Sequence, residues 1–393
     1  MGTNKRGSGR YSNESKTEKV SRIWKGLGDF SWVIISCAMT FGLLLAMFLF
    51  MGGSGGGQQS LVKMATTDKF DMFMTNQLSD TAGDLLSIEK VYWLSDDDQV
   101  APKPDPACYG ETDDPSSLGW LLEAAQDILD GQETLFNTDI EIVEGSTVRY
   151  YLDETIFAVV WKQTEINIVY TYAEVKIAHP SQFRRFLAGG EYGSEKQFVT
   201  TEMAQSVNAV VASSGDFYRF RNYGIIVYDG QVKRNNSEIV DTCMIDDKGD
   251  LHLIYAGQMT TMEEAQKYVD ENNIRFSVAF GPIIIDNGQL VVPFDYPLGE
   301  VDQYFPRAAL CQQGDLHYTV VVSNAEGPYK FVPSMQIFAK HIAALGFEKA
   351  YTLDGGQTAV IAMDGDLINA VHFGHQREIS DIFYFATAVP DGG

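Results

Sequence analysis

From Thr147 to the C-terminus, short runs rich in β-branched and aromatic residues are cut again and again by Asp-Gly and Asn-Gly turns, and this pattern constrains the fold most. Val148 to Trp161 and Ile166 to Ile177 read as strands. Asp229-Gly230 supplies the positive φ of a two-residue hairpin turn, Asp246-Asp247-Lys248-Gly249 turns a second hairpin, and Asp286-Asn287-Gly288 closes the strand signal of Phe276 to Ile285. Closely spaced hairpins make neighbouring strands antiparallel. His179 to Arg185 breaks the strand pattern and opens a connection to Thr200. Isolated helices interrupt the strands. One runs from Ser116 or Ser117 to Gly131, with Leu118, Leu121, Leu122, Ala125, Ile128 and Leu129 as its apolar face. Another runs from a Ser334 cap to a Gly346 stop and buries Met335, Phe338, Ala339, Ile342 and Leu345. The expected class is α+β, with mixed, largely antiparallel sheets and a few packed helices.

The first third reads differently. Residues 1–29 are polar and basic, with seven Lys and Arg against three Asp and Glu, and suit a cytoplasmic tail. The chain as a whole carries −24; with +4 on that tail, about −28 falls on residues 30–393. A body this acidic repels nucleic acid, which excludes it as a partner. Trp32 to Met51 is uncharged and long enough to cross a bilayer, which predicts a single transmembrane helix over 30–51 with the tail inside and the C-terminal body outside the cell membrane. A Gly-rich linker over 52–60 and a membrane-proximal helical and loop region over 61–146 would then precede the main domain, 147–393.

One stretch favours chemistry. Ala350 to Leu353 reads as a buried strand that stops at Asp354-Gly355-Gly356, and two glycines beside a carboxylate let an anionic ligand approach bare backbone N–H groups. Metal chemistry has less support. His372-x-x-His375 lacks zincin spacing, no Cys or Cys/His cluster has zinc spacing, and Asp246 to Asp250 fails the pattern of a calcium loop. No cofactor is expected, and a structural Ca²⁺ stays open in so acidic a body. Cys311 reads as a packed thiol because no base is designated for it.

Five turn segments in order resemble those of the phosphodiester glycosidase family. They are Ser214-Gly215-Asp216-Phe217-Tyr218, with Thr201-Glu202-Met203-Ala204 upstream; Phe280-Gly281-Pro282 with Asn287-Gly288; Pro306-Arg307-Ala308-Ala309; Asp354-Gly355-Gly356; and Arg377 with Ser380-Asp381. The resemblance runs from about Tyr172 to Pro390. It implies hydrolysis of a sugar-1-phosphodiester, of the GlcNAc-1-phosphodiester kind, on a phosphate-linked glycan of the envelope or an exopolysaccharide. Asp354 and Asp216, with Glu202 and Asp381 behind them, would be the catalytic carboxylates. Arg307 would clamp the phosphate bidentately, with Arg219, Arg221 and Arg377 as further cations, and Asp381 would contact substrate or brace the closing segment. Ser214, Gly215, Gly355, Gly356, Gln357 and Thr358 would contact substrate. Two positions depart from the family pattern: Ser214 stands where it has Asn, and Gln357-Thr358-Ala359-Val360 replaces a run of small hydroxyl residues. Those departures keep a second reading in view, a non-catalytic glycan-binding or assembly module.

Overall fold

The computed structural model describes residues 94–95, 100–293, 295–297, 301, 303–324 and 331–390. The tail, the 30–51 span, the linker and the helices expected over 61–90 all lie outside these residues. Among the described residues no helix is long and apolar enough to cross a membrane.

The architecture is sheet-rich α+β with antiparallel pairing throughout the named strands. Its largest sheet has nine strands, in spatial order Tyr109–Thr112, Val148–Leu152, Ile156–Glu165, Ile168–Ile177, His317–Ser323, Ala308–Gly314, Lys349–Leu353, Ile283–Asp286 and Gln289–Leu290. Alternation along each strand sends side chains to opposite faces. Ala158, Val160, Ala173, Val175, Leu310 and Tyr351 face one core; Phe157, Val159, Trp161, Tyr172, Cys311 and Ala350 face another. With both faces buried, most positions along these strands are apolar and read as near-continuous runs, with buried polar exceptions such as His317, Thr319 and Ser323 on one strand and Glu174 and Lys176 on another.

Helices fill the second core. Met335–Ala344 is capped by the Ser334 hydroxyl, which accepts from the Ile337 N–H, and it buries Met335, Phe338, Ala339 and Ile342. The helix expected from Ser116 is instead a short 3-10 turn, Pro115–Leu118, followed by Gly119–Ala124 and Gln126–Leu129. Its cap is Asp114, whose carboxylate accepts from the Ser116 N–H at 3.1 Å. These turns pack Leu118, Leu121, Ala125 and Leu129 against the large sheet, and Tyr109–Thr112 is its edge strand. Residues from about 101 onward therefore build the same body as 147–393, across the boundary expected near 146.

The first core is closed by two smaller sheets. Five strands, in the order Asp366–Leu367, Ile361–Met363, Val211–Ser214, Asp381–Phe385 and Phe183–Leu187, form one; Leu251–Ile254, Thr242–Asp246 and Ile274–Val278 form the other. Beside them the hairpin Gly224–Tyr228 with Gln231–Asn236 turns through Asp229 and Gly230 at φ 51 and 69. Two elements differ from those the sequence predicts. Phe183–Leu187 is an edge strand, not a connection. Phe276 to Ile285 divides between two sheets at Ala279 to Pro282. The key crossing is at Asp354, where the chain leaves the nine-stranded sheet after Leu353 and joins the five-stranded sheet at Ile361.

Candidate active site

Register brings the Asp354 turn beside Arg307. Ala308 pairs with Leu353, so Arg307 and Asp354 are the next residues out on adjacent strands. The Gly356 N–H donates to the Pro306 carbonyl at 2.8 Å, tying the two strand ends together. The two glycines are needed for different reasons. Gly356 has φ +70, in the left-handed region; Gly355 does not, but a Cβ there would lie 2.5 Å from the Pro306 carbonyl oxygen. The end of Val211–Ser214 is adjacent. Ser213 Oγ donates to the Val360 carbonyl at 2.7 Å, and the buried Ser214 hydroxyl donates to that of Thr358.

The Asp354 carboxyl is poorly solvated and poorly satisfied. Its Oδ1 accepts from the adjacent Gly355 N–H at 2.9 Å, and its buried Oδ2 has no hydrogen-bond partner within normal geometry. The Thr358 hydroxyl donates to the Gly355 carbonyl at 2.6 Å and lies close enough to the Asp354 carboxyl to favour its charged form by hydrogen bonding. Burial pushes the Asp354 pKa up to about 6, against the opposing pull of Thr358, the Gly355 N–H and the cations Arg377 and Arg221. Both cations approach the Phe217 ring, Arg221 at 5.8 Å and Arg377 at 5.9 Å from its centroid. Arg221 also sits 4.5 Å over Phe280, and Phe220 stacks on Phe217 at 4.8 Å. On the other side, buried Arg307 lies 5.9 Å over Phe305 and donates to the Gln303 carbonyl at 2.6 Å. The Arg377 and Arg221 guanidinia thus act on a buried carboxyl whose Oδ2 has no hydrogen bond.

A second group of charges sits behind it. Asp216 Oδ1 accepts from the Tyr218 N–H at 2.7 Å, and Oδ2 accepts from the Ala279 N–H at 2.8 Å and pairs with Arg185 at 3.2 Å. Asp381 Oδ2 takes the same guanidinium at 2.8 and 3.0 Å, together with the Asp216 N–H at 3.2 Å. Burial opposes charge on Arg185, but the two carboxylates outweigh it and hold its pKa up. Burial raises Asp381, Arg185 pulls it back, and Asp216 raises it again. Gly215 is obligatory here, since a Cβ would stand 1.8 Å from Asp381 Oδ2.

The structure therefore brings together Asp354, Gly355, Gly356, Thr358, Arg307, Arg377 and Ser214, with Gln357 on the rim. It turns the Asp216 carboxylate inward to Arg185, a residue that no sequence motif singles out. Phe183, Arg185 and Leu187 are all buried, so an arginine in step with apolar neighbours is its only signal. Glu202 is exposed in the first turn of Thr200–Ser206, and Arg219 reaches Ser194 and Glu195 instead of Asp354. Among the described residues no three His, Cys, Asp or Glu side chains are grouped to hold a metal, and the Cys108, Cys243 and Cys311 thiols are free. Burial pushes the Cys311 thiol well up, which suits packing. Asp246 Oδ1 accepts from the Lys248 and Asp250 N–H groups, as a hairpin turn requires.

Residues 207–386 match the family model described as phosphodiester glycosidase. The chain thus carries a phosphodiester glycosidase family domain, and four of the five motif segments lie wholly inside the matched span. The fifth does so without its upstream Thr201 to Ala204. Among solved structures, the chain is similar to the catalytic domain of zebrafish N-acetylglucosamine-1-phosphodiester alpha-N-acetylglucosaminidase, auto-inhibited by its pro-peptide, at 15% identity and a TM-score of 0.48, covering 67% of this chain and 93% of that one. It is also similar to a hypothetical protein from Synechocystis, at 14% identity and a TM-score of 0.43, covering 63% and 65%. No curated protein matches the chain.

Proposed function

We propose that the protein hydrolyses sugar-1-phosphodiesters and that Asp354 is its catalytic carboxyl. The observation that carries this reading is the buried Asp354 with an unpartnered Oδ2, a pKa of about 6 and guanidinia on its flanks. Native carboxyls buried for structural reasons are normally hydrogen-bonded, whereas general bases are tuned toward neutrality. Arg377 and Arg221 beside this carboxyl, in a chain of net charge −24, favour an anionic ligand.

In this reading Arg307, Arg377 and Arg221 hold the phosphate. The bond from the anomeric carbon to the phosphate oxygen breaks, and water adds to that carbon. Asp354 stabilises the oxocarbenium-like transition state and takes the water proton. The phosphomonoester leaves without a general acid, because it is already a stable anion at neutral pH. Asp216 and Asp381 act through Arg185 as scaffold, and Glu202 and Arg219 have no catalytic part. Trp32 to Met51 anchors the domain outside the membrane, where phosphate-linked envelope glycan is the substrate.

The test is to incubate full-length protein with GlcNAc-1-phosphodiesters and with wall-derived phosphodiester glycans, then measure reducing sugar and phosphomonoester. Equimolar release of both is expected. Saturable glycan binding without release from any such diester would overturn the enzyme in favour of the binding module.

A further inference from the structure

The loop that carries Arg377 is held from two directions. Gln357 Nε2 lies 2.9 Å from the His375 Nε2 atom and 3.2 Å from the His375 carbonyl. The carbonyl can only accept, so the Gln357 amide nitrogen is the donor to both, and His375 Nε2 is an acceptor. The other ring nitrogen, Nδ1, then carries the proton and donates to the Phe373 carbonyl at 3.1 Å. On the far side Gln376 Nε2 donates to the Thr201 hydroxyl at 3.0 Å, while Gln376 Oε1 accepts from the Thr201 N–H at 3.4 Å. The Arg377 N–H closes the bracket on the Gln357 carbonyl at 3.5 Å.

These contacts join the exposed Arg377 loop to the turn that begins at Asp354. We propose that Gln357 is a positioning residue for Arg377: its amide bonds to His375 set the closing loop against the Asp354 turn and keep the guanidinium beside the carboxyl. The inference rests on the catalytic reading of Asp354 but concerns the local field, which is measurable without turnover. It also gives a role to Gln357, one of the residues replacing the family's hydroxyl run. A long amide can span the gap between the two loops, which a serine hydroxyl on the same backbone would not reach.

The experiment tracks the Asp354 carboxyl directly in full-length protein labelled with ¹³Cγ-aspartate, with the signal assigned by its loss in Asp354→Asn. The wild-type midpoint is expected near 6. Arg377→Gln should raise it by roughly half a unit or more, since a nearby cation favours the carboxylate. Gln357→Ala should raise it by a comparable amount, His375→Ala by less because the backbone carbonyl remains, and Gln357→Ala should add nothing in the Arg377→Gln background. An unmoved midpoint in Gln357→Ala, or an equal shift with and without Arg377, would overturn the proposal. Failure to cleave any diester would overturn the catalytic reading and leave these shifts as they are.

Discussion

Two buried carboxyl groups follow strands of different sheets in this protein, Asp216 after Val211–Ser214 and Asp354 after Lys349–Leu353, and the sequence motifs assign them the same role. Asp216 is satisfied by two backbone N–H groups and a buried guanidinium, whereas Asp354 has one short-range N–H and an Oδ2 with no partner. On the reading proposed above, the difference separates scaffold from chemistry. Burying a charge is tolerable when its partners replace water, as Arg185 does for Asp216 and Asp381. Where they do not, a lone pair is left that substrate or water can use. The pKa does not mark the difference, because burial also pushes Asp381 up, to about 7, despite Arg185.

The largest expected effect breaks the scaffold side of this comparison. Arg185→Leu leaves two carboxylates buried without their cation, and should cost roughly 3–5 kcal/mol in urea unfolding at pH 7. A loss below about 1 kcal/mol would mean that the two aspartates do not depend on it. Asp354→Asn should move the other way. A carboxyl whose pKa rises on folding contributes stability fully below its unfolded value, and loses it as pH rises through the folded value of about 6. Asp354→Asn should therefore match wild type near pH 3 and exceed it by roughly 2–3 kcal/mol at pH 8. Equal stability at both pH values would show that the carboxyl is not strained.

Gly215→Ala sharpens the same contrast, because its Cβ would collide with Asp381 Oδ2 at 1.8 Å. A cost of about 1–3 kcal/mol is expected in thermal unfolding, as for other overpacked cores. At the small end, Glu202→Gln and Arg219→Ala should each change stability by no more than about 0.5 kcal/mol and leave hydrolysis within about twofold of wild type. A large loss of kcat in either would return that residue to the site.

Much of the local structure is legible in the sequence because its causes are local. Asp229-Gly230 needs positive φ, Ser334 needs only its own helix to cap, and five turn segments carry the family resemblance without any knowledge of pairing. The strand order is not legible. Lys349–Leu353 and Ile361–Met363 are eight residues apart yet lie in different sheets, and no periodicity distinguishes a turn within a sheet from a crossing between two. Partner choice for buried charge is hidden for the same reason. Asp216 and Arg185 meet only because Phe183–Leu187 and Val211–Ser214 flank Asp381–Phe385, a long-range arrangement that short motifs do not encode. The sequence puts the left-handed stop after Leu129 at Gly131, but it begins one residue earlier at Asp130, with φ 50.

The central claim is that Asp354 alone among these carboxyls does chemistry, and the pH dependence of kcat/KM on a sugar-1-phosphodiester tests it most directly. Wild type should lose activity as pH falls through about 6, where the base becomes protonated. Asp354→Asn, still folded, should fall by roughly a thousandfold or more at pH 7.5, with no limb near that pH. Asp354→Asn that keeps wild-type kcat/KM and its acid limb would contradict the account.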